Sequence, residues 1–169
     1  MALVYELARR DAQRTRDTWA GHNEPLTYAS LKAIAAGLGA TVIEQTLDPG
    51  TSGLIIKYAG SFPRIYISQH DSPSRKRFTL AHELGHLVER RDWANDDEYS
   101  FVDHRKTGVT NLHEFYANEF AGELLMPAEP FLETWTEEGA PGAAAHFGVS
   151  EQAARERYRR LKMHPNVND

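Results

Sequence analysis

His82-Glu83-Leu84-Gly85-His86 places two imidazoles four residues apart, with a carboxylate directly after the first. On a helix, residues i and i+4 lie one turn apart, with Cβ atoms about 5–6 Å from each other. Two imidazoles so placed can converge on one divalent cation at about 2.0–2.1 Å. Glu83 is too close in sequence to be a third ligand. It can instead take a proton from water activated at the metal. In a chain with 8 histidines, chance produces such a pattern about 3% of the time, so the spacing needs support from elsewhere.

A hydrolytic metal site usually has three protein ligands and one open position. The segment NLHEFYANEFAGELLMP offers His113, Glu114, Glu119 and Glu123 as the third. With Glu114 at the origin of a helical wheel, Asn118, Ala121, Gly122 and Leu125 fall within about 80° of it. Glu119 and Glu123 fall about 140° and 180° away. Glu114 therefore shares a face with small and apolar residues, and Glu119 and Glu123 are expected in solvent. A carboxylate on a buried face needs a partner. That partner is a metal or an arginine such as Arg75 or Arg77, and His113 is the rival ligand. Asn118, one turn beyond Glu114, is placed to hydrogen-bond a ligand and fix its orientation.

These side chains need a rigid frame. Residues 75–90 read as a helix whose stripe of Leu80, Ala81, Leu84, Leu87 and Val88 can pack on a sheet while His82 and His86 face away. Gly85 inside that helix costs about 1 kcal/mol relative to alanine, which suggests that another element passes close, with Ala121 and Gly122 expected at the contact. Three β-rich runs, 40–45, 53–60 and 63–69, are joined by links too short for helical crossovers, so a small antiparallel three-stranded sheet is expected. Further helices are expected over 2–19, 27–37, 110–126, 128–136, 141–147 and 150–162, with a frayed tail after them. Residues 91–110 show no periodicity, and so long a loop reads as a lid, a docking surface or a disordered stretch.

With 41% hydrophobic and 25% charged residues, the 169-residue chain reads as one soluble globular domain. It has no cysteine, which excludes disulfides and thiolate ligands. It shows neither a signal peptide nor an apolar run near the ~20 residues of a membrane span, so a cytoplasmic protein is expected. A net charge of −5 argues against a chain built mainly to grip phosphate backbones.

RFTLAHELGH at 77–86, Glu114-x-x-Ala117-Asn118-x-Phe120-Ala121 and Leu124-Leu125-Met126-Pro127 together resemble the ImmA/IrrE family of zinc metallopeptidases. GLIIKYAGSFPRIYIS resembles that family's small sheet, and the likeness spans roughly residues 30–160. The resemblance implies an α+β zincin-like domain with Zn2+ on His82, His86 and Glu114 and with Glu83 as the catalytic residue. It implies an endopeptidase that cleaves a helix-turn-helix repressor of a phage, mobile element or stress response. The length of 169 residues and the order of elements predict one domain over 1–169: an N-terminal helix and linker over 1–26, a zinc peptidase core over 27–136, and helix-turn-helix-like helices over 137–162. Tyr66, Tyr99, His104 and His146 are candidate donors to the reaction's oxyanion, and Tyr66 is also the candidate substrate contact. A substrate segment could pair as an extra strand against RIYIS. The second reading is a non-catalytic metal-binding regulator that holds a repressor, or DNA through the arginines of 150–162.

Overall fold

A computed structural model describes residues 3–21, 24–94, 97–104 and 111–166. The chain runs α1 (Val4–Trp19), α2 (Tyr28–Gly37), β1 (Thr41–Gln45), β2 (Thr51–Lys57), β3 (Arg64–Ser68), α3 (Pro73–Glu89), β4 (Tyr99–His104), α4 (Leu112–Leu125), α5 (Ala128–Phe147) and α6 (Glu151–Met163). Side-chain caps start the helices that matter for the site. Ser72 accepts from the Arg75 N–H at the head of α3, with Pro73 in the first turn. Asn111 accepts from the Glu114 N–H at the head of α4, which fixes the backbone of Glu114 itself. Ser150 caps α6 in the same way. Among the described residues, no helix is long and apolar enough to cross a membrane.

The α+β architecture is as expected, but the sheet is mixed and has four strands in the order β1-β3-β2-β4. β1 and β3 pair in parallel, against the expectation of an antiparallel sheet. No helical crossover is needed, because β2 carries the chain back and β3 then inserts between β1 and β2. The fourth strand comes from within 91–110. There α3 first runs on into a π-helical turn over Arg90–Ala94, and β4 then pairs with β2. Residues 95–96 and 105–110 lie outside the described residues, and the expected lid falls partly on them.

Paired residues of neighbouring strands point to the same face, and alternate residues point to opposite faces. Gly53, Ile55, Ile65, Ile67, Phe101 and Asp103 therefore share the face covered by α3. Ile55, Ile65 and Ile67 are fully buried there. α3 is buried from Thr79 to Glu89, so its histidine face is covered as well as its apolar stripe. A Cβ on Gly85 would lie 2.9 Å from Ala117 Cα. The expected close crossing of α3 and α4 thus exists, but Ala117 makes it, whereas Gly122 packs on Arg157.

Glu119 and Glu123 overturn the wheel-based expectation, because both are buried. α1 and α6 cover that side of α4 and bring their own cations. Arg9 Nε donates to Glu119 at 3.0 Å and Arg160 Nη1 at 2.9 Å, while Arg157 donates to Glu123. Nor is the tail frayed as far as it is described: Arg9 donates to the His164 carbonyl and to Asn166 Oδ1, and Tyr5 stacks on His164 at 4.7 Å. α5 holds both helices expected over 128–147, broken at Gly139 with φ 70°. Removing Arg157 would leave the buried carboxylate of Glu123 without its guanidinium, with only Gln13 and the Ala128 N–H to donate to it. Arg157→Ala is expected to cost about 3–5 kcal/mol in urea unfolding, and a loss below about 1 kcal/mol would show that this layer is not holding α6 to α4.

Candidate metal centre

Because α3 and α4 cross at Gly85, the side chains flanking the crossing meet. His82 Nε2 and His86 Nε2 lie 3.2 Å apart. Glu114 Oε2 is 3.3 Å from His82 Nε2, and its Oε1 is 3.1 Å from His86 Nε2. A tetrahedron with metal–ligand bonds of 2.0–2.1 Å has edges of about 3.3–3.4 Å. Each separation is close to such an edge, with the two to Glu114 ending on its two different oxygens. His82, His86 and Glu114 are one of two sets, among the described residues, with the types and spacing to hold a metal ion. The other is His82, Glu83 and Asp103, so the two sets share His82.

The surroundings fit a cation. Asn118 Oδ1 can only accept, so at 3.0 Å it receives the proton of His82 Nδ1 and leaves Nε2 free for a metal. Glu83 is fully buried, and among the described residues neither of its carboxylate oxygens has a hydrogen-bond partner. A carboxylate so stranded is costly unless something at the site gives it donors. Gly53 lets α3 approach the sheet beside it: a Cβ there would lie 2.5 Å from Thr79 Cγ2 and only touch Glu83 Oε1, at 3.4 Å.

The protons of the metal-free centre follow from burial and charge. Burial pushes the Glu83 carboxyl well above its ordinary range; the charges of Asp103 and Glu114 push the same way, and His82 opposes them. At His82 burial works downward, but the hydrogen bond to Glu114 and the charges of Glu83, Asp103 and Glu114 outweigh it and leave the imidazole at about 9. Burial, helped by the charge of His82, holds His86 down at about 4 against the hydrogen bond that Glu114 accepts from it. Burial would raise Glu114 too, but hydrogen bonds to both imidazoles keep it well below the usual carboxylate range. One proton on His82 therefore takes the place of the cation.

The other candidates fall elsewhere. Tyr66 pairs with Leu54, which puts its side chain on the sheet face turned away from α3. Tyr99 shares the inner face but sits two residues beyond Phe101, away from Asp103. His146 is exposed on α5, edge-on to Phe147. The backbone of His104 pairs with Thr51 at the end of β4, and its side chain lies outside the described part of the structure. His113 binds Glu89 at 2.9 Å. Arg75 is held by Ser52 at 3.2 Å and by Asp103 at 3.5 Å, and Arg77 by the carbonyls of Leu26 and Phe147, so neither answers Glu114. Sequence reasoning missed Asp103, Phe101 and Gly53. A cleft of about 400 Å³ between α3, α4 and α6 opens beside the centre, reaching it at Asn118 and lined by Arg75, Phe78, Met126 and Arg160.

A family model described as the IrrE N-terminal-like domain, peptidase M78, matches residues 35–159. The chain belongs to the peptidase M78 family. The M78 match includes His82, Glu83, His86 and Glu114 and excludes α1. A solved structure described as a Mycobacterium tuberculosis transcriptional regulator is similar in fold, with a TM-score of 0.65 and 17% identity over 96% of this chain. That overlap is 48% of the regulator, so this chain spans about half of its length. No curated protein matches the chain.

Two outcomes test the centre. Since His82 is protonated at neutral pH without metal, zinc uptake at pH 7–8 should release about one proton per ion, more if Glu83 also ionises, and affinity should rise with pH up to about 9. Calorimetry in buffers of different ionisation enthalpy counts the protons, and none released would contradict this protonation state. Asn118→Ala should weaken zinc binding by about 10–100-fold in chelator competition.

Proposed function

We propose that this chain is a zinc-dependent endopeptidase acting on a regulatory protein, a helix-turn-helix transcriptional repressor. The observation that carries the reading is the pairing of a three-ligand set with a buried Glu83 beside it that has no hydrogen-bond partner among the described residues. His82, His86 and Glu114 would hold the ion. Zinc there would supply Lewis acidity, lowering the pKa of water and polarising a peptide carbonyl. Glu83 is placed to accept the proton from water and to pass it to the leaving amine, and its raised proton affinity suits that exchange. Two imidazoles and a carboxylate also suit ferrous iron. Glu83 has work to do in hydrolysis, which favours zinc and a peptidase.

The mode of substrate docking must change. β3, which carries RIYIS, has both edges paired, to β1 and to β2. Among the described residues β4 pairs with β2 alone, so a substrate strand would add to β4, the strand that carries Phe101 and Asp103 toward the centre. The second reading, a regulator with a structural metal, calls for four protein ligands, and the centre offers three. Its DNA contact would need the arginines of α6. Arg157 is buried, and Arg155 and Arg159 each pair with a glutamate within a turn. The repressor as target rests on the family resemblance, and a cytoplasmic site of action goes with it.

Incubation with the repressor encoded nearest this gene, followed by mass spectrometry of the fragments, tests the reading. Cleavage should stop with chelator. Glu83→Gln should keep zinc and lose cleavage, and His82→Ala should lose both. A Glu83→Gln variant that cuts at the wild-type rate would remove Glu83 from its role.

A further inference from the structure

The two imidazoles of the centre are held in different ways. Asn118 grips His82 through Nδ1. His86 Nδ1 is buried and has no hydrogen-bond partner among the described residues. A metal-binding histidine usually donates its second ring N–H to an acceptor, which sets the plane of the ring. At His86 that acceptor is missing. Instead the Phe101 ring lies flat against the imidazole, with centroids 4.2 Å apart and planes 4° from parallel.

Phe101 is itself held in place. Its backbone pairs with Ile55 in the sheet. The Arg90 guanidinium lies over its ring at 5.4 Å, and His113 and Tyr99 stand at 5.7 Å and 6.2 Å. The ring therefore cannot turn freely, and the imidazole beside it can tilt only by losing the stack.

We infer that Phe101 is the positioning residue for His86, orienting this imidazole by ring stacking where His82 is oriented by a hydrogen bond. The inference rests on the reading of His86 as a metal ligand. A second effect has the same sign. A cation on Nε2 draws electron density out of the imidazole, and an electron-poor ring is attracted to the negative face of an aromatic neighbour. The stack thus favours the metal-loaded imidazole over the neutral, metal-free one. Phe101 stands on β4, an edge strand, so whatever pairs with that edge also bears on the plane of a metal ligand.

The test compares Phe101→Leu, which keeps apolar bulk without a ring face, with Phe101→Tyr, which restores the ring. Zinc affinity is read by competition with a chromophoric chelator, and the ligand field by the visible spectrum of the cobalt(II) protein. Phe101→Leu should bind zinc about tenfold more weakly and shift the cobalt bands, while Phe101→Tyr should stay within about twofold of wild type. In the metal-free protein, the ring protons of His86 should be displaced by the aromatic ring current in the wild type and Phe101→Tyr, and not in Phe101→Leu. Phe101→Leu binding with wild-type affinity, or Phe101→Tyr failing as badly as Phe101→Leu, overturns the inference. If the wild type binds no zinc while its ring-current shift is present, the metal reading fails and the stack stands. If the wild type binds zinc, His86→Ala does not, and the Phe101 variants match wild type, the metal reading stands and the positioning role fails.

Discussion

The centre depends on how closely two helices can approach. His82 and His86 belong to α3 and Glu114 to α4, and the Glu114 carboxylate comes within 3.1–3.3 Å of both imidazoles because the backbones nearly touch at Gly85 and Ala117. Ordinary helix pairs stand 8–10 Å apart, with side chains filling the gap. Here glycine on one side and alanine on the other remove that filling. The roughly 1 kcal/mol lost to glycine in mid-helix is the cost of the approach.

Such a crossing needs support from behind. α4 has α3 on one side and a layer of buried charge on the other, where Glu119 and Glu123 meet Arg9, Arg157 and Arg160. Buried ion pairs are weak evidence of net stability, because desolvation offsets much of their attraction. They are directional, however. An arginine from α1 and two from α6 meet carboxylates one turn apart, which fixes the rotation of α4 about its axis. Glu114, on the same helix, is thereby turned toward α3. Arg9 belongs to α1, which lies outside the span matched by the family model, yet it is part of this layer.

Much of this was legible in the sequence, and what was not has a common cause. The His-Glu-x-x-His spacing and the need for a neighbour at Gly85 are local patterns, each contained within a turn or two. The wheel ranked the glutamates of α4 the wrong way round: the Glu114 side chain stays 20% exposed, while Glu119 and Glu123 are buried. The burial of Glu119 was not local. Its partner Arg9 is 110 residues away, and a wheel drawn on one helix has no knowledge of cations brought by two others. The parallel pairing of β1 and β3 was hidden because link length constrains only sequential neighbours, and β3 pairs beyond its neighbour. β4 was hidden because its inward residues are Tyr99, Phe101 and Asp103. The carboxylate breaks the apolar alternation, and it does so beside the candidate metal centre.

Phe101 and Asp103 share a strand with a single residue between them. Pairing shifted by one position would turn both outward and bring Ser100 and Val102 in. The irregularity between Thr51 and Gly53 on β2 sits beside Asp103 and pins the frame against such a slip. Insertions ahead of β4 leave that frame intact, whereas one extra residue inside it would turn Phe101 away from His86 and Asp103 away from the candidate centre.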